Sequence, residues 1–90
     1  MKTAETMVKN KTGLHARPAA AFSSAAASFQ SVGKVKNLDK GKEVNAKSVV
    51  RVLSLGMSQG TRICVSAEGA DEEAAVNTLV SLVDGGFGEL

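Results

Sequence analysis

The chain has only 90 residues, and this length restricts it to one small hydrophobic core. A chain of this size buries roughly two-thirds of the surface that its unfolded form exposes, so little interior remains for an enclosed substrate pocket. Its one cysteine cannot form an internal disulfide, and one histidine plus one cysteine cannot assemble a structural zinc site. We therefore expect a single domain over residues 1–90, held together by packing, with its functional residues on the surface.

Composition and charge argue against several classes of function. No stretch approaches the ~20 apolar residues of a membrane span, and Glu5 lies where a signal peptide would have its apolar core. The formal charge is only +2, and the chain has three Phe but no Trp or Tyr, so it lacks the aromatic platforms that bind single-stranded nucleic acids. Nucleic-acid binding is a minor alternative, and we expect a cytoplasmic protein without membrane insertion, metal or cofactor.

Hydrophobic periodicity divides the chain into short alternating elements. The patterns predict strands over residues 3–8, 32–38, 42–45 and 61–67, and helices over residues 16–29 and from Asp71, as N-cap, to the stop signal at Gly85-Gly86. The strand 61–67 alternates between apolar and polar residues, which indicates a sheet with one solvent-facing side. Cys64 lies in the polar phase and is expected to be structurally passive. Residues from about 85 onward are expected to form a flexible tail.

The segment from Ser48 to Gly56 permits two interpretations. Its β-branched content favours a buried strand, whereas Ser48 as an N-cap and Gly56 as a stop favour a short helix. If Val52 and Leu55 turn inward from such a helix, an apolar patch around Arg51 stays partly exposed, which is typical of a partner surface. That patch would contain Val49, Val50 and Leu53.

The single histidine, His15, lies between a turn glycine, Gly13, and a predicted helix that contains Arg17 and Pro18 in its first turn. Proline is tolerated there because its missing N–H would have no intrahelical partner, so Pro18 places His15 at or next to the N-cap. Free N–H groups and the helix dipole favour an anion at this position, and Arg17 can hold a phosphoryl group attached to the ring. A lone histidine is by itself more often an ordinary surface or capping residue. In this setting, the pattern indicates a site that takes and releases a phosphoryl group.

The residues around the histidine read Gly13-Leu14-His15-Ala16-Arg17-Pro18-Ala19-Ala20. They resemble the active-centre motif of the HPr family, the histidine-containing phosphocarriers of the phosphoenolpyruvate-dependent sugar phosphotransferase system. Asn45-Ala46-Lys47-Ser48 resembles the family's regulatory-serine segment, and Gly60-Thr61 through Asp71-Glu72 resembles its last strand and final helix. The resemblance implies an α+β open-faced β-sandwich of order βαββαβα, in which three helices cover one face of a four-stranded antiparallel sheet. It also favours helix for the ambiguous segment.

The resemblance implies a phosphoryl carrier rather than an enzyme. His15 would accept a phosphoryl group on Nδ1 from enzyme I and pass it to sugar-specific enzyme IIA proteins, while Arg17 stabilises the phosphorylated ring. The matching positions imply a docking surface that these partners share, formed by Ala16, Ala20, Val49, Val50, Arg51 and Leu53. No cofactor is implied, and we expect a monomer.

Ser48 matches the serine that a bifunctional kinase/phosphorylase modifies in many Gram-positive members, which creates a corepressor for a catabolite-control transcription regulator. A phosphoserine would bring negative charge to the apolar docking patch and so weaken enzyme I binding. Serine is also simply a preferred N-cap, and Arg51 stands where many kinase-regulated members carry glycine. The alternative function is a regulatory module that acts mainly through phospho-Ser48. A third, a hydrolase with His15 as general base, has no nucleophile motif to support it.

Overall fold

The computed structural model describes residues 1–89, and Leu90 lies outside the described residues. In chain order the elements are β1 (Lys2–Met7), α1 (Ala16–Ala27), β2 (Val32–Asn37), β3 (Lys42–Asn45), α2 (Val49–Ser54), β4 (Arg62–Glu68) and α3 (Glu72–Asp84), followed by a 3₁₀ turn at Gly86–Gly88. This order matches the predicted βαββαβα. The segment that the sequence left ambiguous is a helix.

The four strands described form one antiparallel sheet in the order β1-β4-β2-β3. The apolar phase of β4 points into the core, where Ile63 and Val65 are fully buried with Phe22 of α1 and Leu79 of α3. The other phase lies on the face without helices, and there Cys64 is half-buried between Glu5 of β1 and its β2 neighbours. The predicted sheet with three helices on one face is therefore confirmed.

Each of the two long helices buries one apolar stripe. In α1, Pro18, Ala19, Phe22 and Ala26 are buried, and Ser23 joins them although it is polar. Phe29 lies beyond the last turn of α1 and is only half-buried. In α3 the buried residues are Ala75, Val76, Leu79 and Val83.

Asp71 precedes α3 at the N-cap position, but its side chain does not cap that helix. Its carboxylate instead accepts hydrogen bonds from the backbone N–H groups of Gln30 and Ser31, both at 2.9 Å, and from the Ser31 hydroxyl. The hydrogen bond from the Ser31 hydroxyl, followed by those from the backbone, lowers the pKa of Asp71. Asp71 therefore closes the loop after α1 against the start of α3.

Beyond α3 the chain, as far as Glu89, contacts the rest of the domain. α3 ends at Asp84, as predicted, and the turn at Gly86–Gly88 is left-handed, with φ values of 61°, 55° and 77°. Its Phe87 packs against the core. The backbone N–H of Glu89 donates to the carbonyl of Gly86 at 2.9 Å, which directs the chain back toward the loop after β1. Packing of the half-buried Phe87 ring against the core favours this return.

Candidate functional site

The loop that carries His15 is held by a close backbone approach at Gly13. Gly13 has a φ of +67°, and a Cβ on it would lie 2.5 Å from the carbonyl oxygen of Met57 and 2.8 Å from Cα of Ser58. The next residue, Leu14, donates its N–H to the same Met57 carbonyl at 3.0 Å. Only glycine permits both the left-handed conformation and this approach. The loop is therefore fixed against the segment that follows α2.

His15 occupies the N-cap position of α1, as the position of Pro18 predicts. Its carbonyl accepts the first helical hydrogen bond, from the N–H of Ala19 at 2.9 Å, but its side chain makes no capping bond. The imidazole is 46% exposed, so a partner can reach it. Within residues 1–89 the backbone N–H groups of Ala16 and Arg17 have no acceptor. These two donors and the helix dipole are available to an anion next to the ring.

Three residues that the motif does not contain complete the surroundings of the ring. Oε2 of Glu89 lies 3.6 Å from Nε2 of His15. Oε1 of Glu89 accepts hydrogen bonds from Thr12 Oγ1 at 2.8 Å and from Asn10 Nδ2 at 2.9 Å. These two bonds, that from Thr12 first, lower the pKa of Glu89. No sequence motif indicates this contact, and its one signal is Phe87, an apolar residue inside the predicted tail.

Arg17 is exposed on the first turn of α1, and its guanidinium makes no hydrogen bond or ion pair with any other residue between 1 and 89. Its guanidinium is thus free to move toward a group on His15, two residues earlier in the chain. A planar guanidinium matches the oxygens of a phosphoryl group and binds them through two parallel hydrogen bonds.

The predicted docking residues are exposed on α1 and α2, two helices that pack against each other. On α2, Val52 and the following Leu55 are fully buried, while Val50 is 76% exposed and Val49 and Leu53 are partly exposed. Arg51 on α2, and Ala16 and Ala20 on α1, are exposed as well. The structure therefore leaves all six predicted docking residues exposed on α1, which begins next to His15, and on the neighbouring α2.

Ser48 is the N-cap of α2 and is half-buried. Its hydroxyl oxygen accepts a hydrogen bond from the N–H of Arg51 at 3.3 Å, and its carbonyl accepts one from the N–H of Val52 at 3.0 Å. This is the capping geometry that the sequence predicts for a short helix.

The remaining candidate groups add no second chemical centre to the described chain. Burial, then the nearby charge of Glu5, raises the pKa of the Cys64 thiol, which keeps it in its less reactive protonated form. In residues 1–89 no three His, Cys, Asp or Glu side chains are grouped so as to hold a metal ion. Over the same range, no helix combines the length and the apolar character that a membrane crossing needs.

Comparison with known protein families gives one family that spans most of the chain. A family model described as "PTS HPr component phosphorylation site" matches residues 2–84. The phosphocarrier protein HPr of Mycoplasma pneumoniae is 38% identical over 84 residues, which cover 93% of this chain and 94% of that protein. The multiphosphoryl transfer protein of Vibrio cholerae is 43% identical over 88 residues. The match covers 97% of this chain but spans only 22% of that longer protein.

Solved structures agree with these sequence matches. HPr from Thermoanaerobacter tengcongensis superposes with a TM-score of 0.94 at 50% identity and covers 100% of this chain and 99% of that one. The Bacillus subtilis catabolite repression protein Crh, solved as a dimer with a swapped domain, gives a TM-score of 0.74 at 40% identity, covering 96% and 97% of the two chains. The chain therefore belongs to the HPr family of phosphocarriers of the phosphotransferase system.

Proposed function

We propose that this carrier holds its phosphoryl group on His15, accepts it from enzyme I and passes it to sugar-specific enzyme IIA proteins. The observation that supports this most is the exposed His15 ring at the start of α1, beside the free N–H groups of Ala16 and Arg17. A ring nitrogen attacks phosphorus with its lone pair, and an N–P bond forms as the bond to the donor breaks. The reverse step on an enzyme IIA protein returns the carrier unchanged.

In this proposal Arg17 and Pro18 have separate roles. Arg17 turns its guanidinium to the new phosphoryl group and neutralises part of its charge through charge-assisted hydrogen bonds. Pro18, buried in the first turn, has a fixed φ that suits a helix start and lacks an N–H that would have no helical partner, so it favours a helix that begins at Ala16. The N–H groups of Ala16 and Arg17 then lie in the first turn, where they are free for the phosphoryl oxygens.

The docking patch supplies the binding free energy that the small site lacks. Enzyme I and the enzyme IIA proteins would cover the exposed valines and Leu53 of α2 together with Ala16 and Ala20 of α1, with Arg51 at the edge of the contact. Each partner then contributes the remaining active-site groups around the phosphoryl group. We propose a cytoplasmic monomer over residues 1–90, without a cofactor. The unpaired Cys64 is compatible with a reducing compartment.

Incubation with enzyme I and phosphoenolpyruvate tests the proposal. The protein should gain one acid-labile phosphate by mass spectrometry, and transfer it on addition of an enzyme IIA protein. His15→Ala should gain none, and Ser48→Ala, the matched control, should behave like the unaltered protein. Phosphate on the His15→Ala variant would rule out His15 as the acceptor.

A second candidate function, a regulatory module that acts through phospho-Ser48, is supported by the likeness to the catabolite repression protein Crh. The half-buried Ser48 hydroxyl lies beside the docking patch at the start of α2, so a phosphate there would place negative charge at that patch. A serine kinase/phosphorylase with ATP should label Ser48, and the product should bind a catabolite-control transcription regulator. Labelling of Ser48 in a protein that enzyme I cannot phosphorylate would favour this function over the carrier role.

A further inference from the structure

The side chain of Glu89 approaches the imidazole from one side only. Oε2 lies 3.6 Å from Nε2 of His15, while Nδ1 takes part in no hydrogen bond or ion pair with another residue in the range 1–89. Oε1 accepts two hydrogen bonds, from Thr12 and Asn10. The carboxylate is thus anchored through one oxygen and presents the other to a single ring nitrogen.

Asn10, one of the two residues that hold the Glu89 carboxylate, is fully buried. Its Nδ2 donates to the carbonyl oxygen of Gly13 at 2.7 Å as well as to Glu89, and it lies 3.4 Å from Thr12 Oγ1. The reverse orientation of the amide would place Oδ1 against these acceptor oxygens, so the observed orientation is favoured. Asn10 therefore couples the turn before His15 to the end of the chain, and it fixes where the Glu89 carboxylate lies.

We infer that Glu89 is a positioning residue that keeps the proton of the neutral His15 ring on Nε2 and leaves the lone pair of Nδ1 free to accept the phosphoryl group. A carboxylate beside one ring nitrogen favours the tautomer that carries N–H on that nitrogen. The same negative charge repels a phosphoryl group on Nε2, so it disfavours the wrong phosphohistidine isomer. The contact also persists through transfer, because Nε2 keeps its proton when Nδ1 is phosphorylated. The inference rests on the proposed role of His15.

A small phosphoryl donor tests the inference without enzyme I. Phosphoramidate transfers its phosphoryl group to an imidazole nitrogen as its own N–P bond breaks and ammonia leaves. NMR with ¹⁵N-labelled protein then gives the ratio of Nδ1- to Nε2-phosphohistidine and, before reaction, the nitrogen that carries the ring proton. The proteins compared are the unaltered chain, Glu89→Ala, Thr12→Ala and a control, Glu73→Ala, which removes an exposed glutamate from α3.

The unaltered protein and the Glu73→Ala control should carry the proton on Nε2 and the phosphoryl group mainly on Nδ1. Glu89→Ala should shift the isomer ratio toward Nε2 by about two- to fivefold, the size of effect that an exposed charged contact supports, and Thr12→Ala should shift it in the same direction. An unchanged ratio and unchanged ring proton in both variants would overturn the inference. Failure of enzyme I to phosphorylate a protein that keeps this isomer selection would instead reject the carrier function.

Discussion

Replacing Gly13 with alanine tests whether the close approach between the His15 loop and the segment after α2 holds the site in place. The chain offers a matched control, because Gly41 has nearly the same φ, +68° against +67°, but no atom within 4 Å of the position that a Cβ would take. At Gly13 the same Cβ would meet backbone atoms of Met57 and Ser58 at 2.5 and 2.8 Å. The two variants therefore share the conformational cost, and only one carries the steric cost.

The left-handed conformation costs an alanine about 1–2 kcal/mol at either position. Overlap with a packed backbone adds about 1–3 kcal/mol at Gly13 alone. The atoms of Met57 and Ser58 that the Cβ would meet belong to the backbone and cannot rotate away as a side chain would. Gly13→Ala should thus lose ~2–5 kcal/mol of the free energy of unfolding and Gly41→Ala only ~1–2 kcal/mol. In a domain of this size each kcal/mol lowers the Tm by about 4–8 °C.

Urea denaturation of the two variants measures these losses, and phosphoryl transfer from enzyme I measures the function. Because Leu14 bonds to the same Met57 carbonyl that the new methyl group would push away, His15 should shift in Gly13→Ala, and its rate of phosphorylation should fall. Gly41→Ala should be phosphorylated at the unaltered rate. Equal destabilisation of the two variants, or an unchanged rate in Gly13→Ala, would refute the reasoning.

Three other predictions concern the core, the loops and the sheet. Leu55→Ala, at a fully buried site, should lower the free energy of unfolding by about 2–5 kcal/mol in urea, whereas Val50→Ala, at a 76% exposed site, should change it by less than ~0.5 kcal/mol and yet weaken enzyme I binding in calorimetry. The hydrogen bond from Ser31 lowers the pKa of Asp71 in the folded state, so ionised Asp71 stabilises the fold above its unfolded pKa and this contribution is lost as the pH falls through the folded value. Asp71→Asn should therefore be less stable at neutral pH and lose less further stability on acidification from about pH 5 to pH 2 in thermal unfolding. Burial raises the pKa of Cys64, so iodoacetamide should alkylate it more slowly at pH 8 in the folded protein than in urea, and equal rates by mass spectrometry would contradict this.

The fold was predictable wherever burial imposes a repeat on the sequence. β4 alternates with a period of two and α3 carries its apolar stripe at helical spacing, so both were assigned from pattern alone. The pattern does not assign α2, because apolar residues lie on both its buried and its exposed sides and hide the helical period. Only the family resemblance chose helix there. The structure shows why the pattern was ambiguous: Val52 is buried for packing, while Val50 is exposed.

Polar contacts between distant segments could not be predicted in the same way, because no repeat marks them. Asp71 was expected to cap its own helix, yet its carboxylate binds Ser31, which lies 40 residues earlier. The one trace in the sequence is Gly69, where a Cβ would lie 2.8 Å from Cα of Ser31. The sequence indicates the contact between Glu89 and His15 even less, since this contact depends on how the chain turns after α3.

A phosphoryl carrier has two structural requirements that oppose each other. Its ring must be exposed, because two different partners have to reach it in turn, but an exposed ring is free to present either nitrogen. A small domain without a pocket can still restrict the ring if one side is held by a side chain that is itself anchored in the interior. Glu89, bound by the buried Asn10, meets this requirement at His15 while the ring stays 46% exposed. Oε2 of Glu89 lies 3.6 Å from Nε2 of His15, and both side chains are partly exposed to solvent, so their interaction is weak. The ring therefore stays available for transfer in both directions.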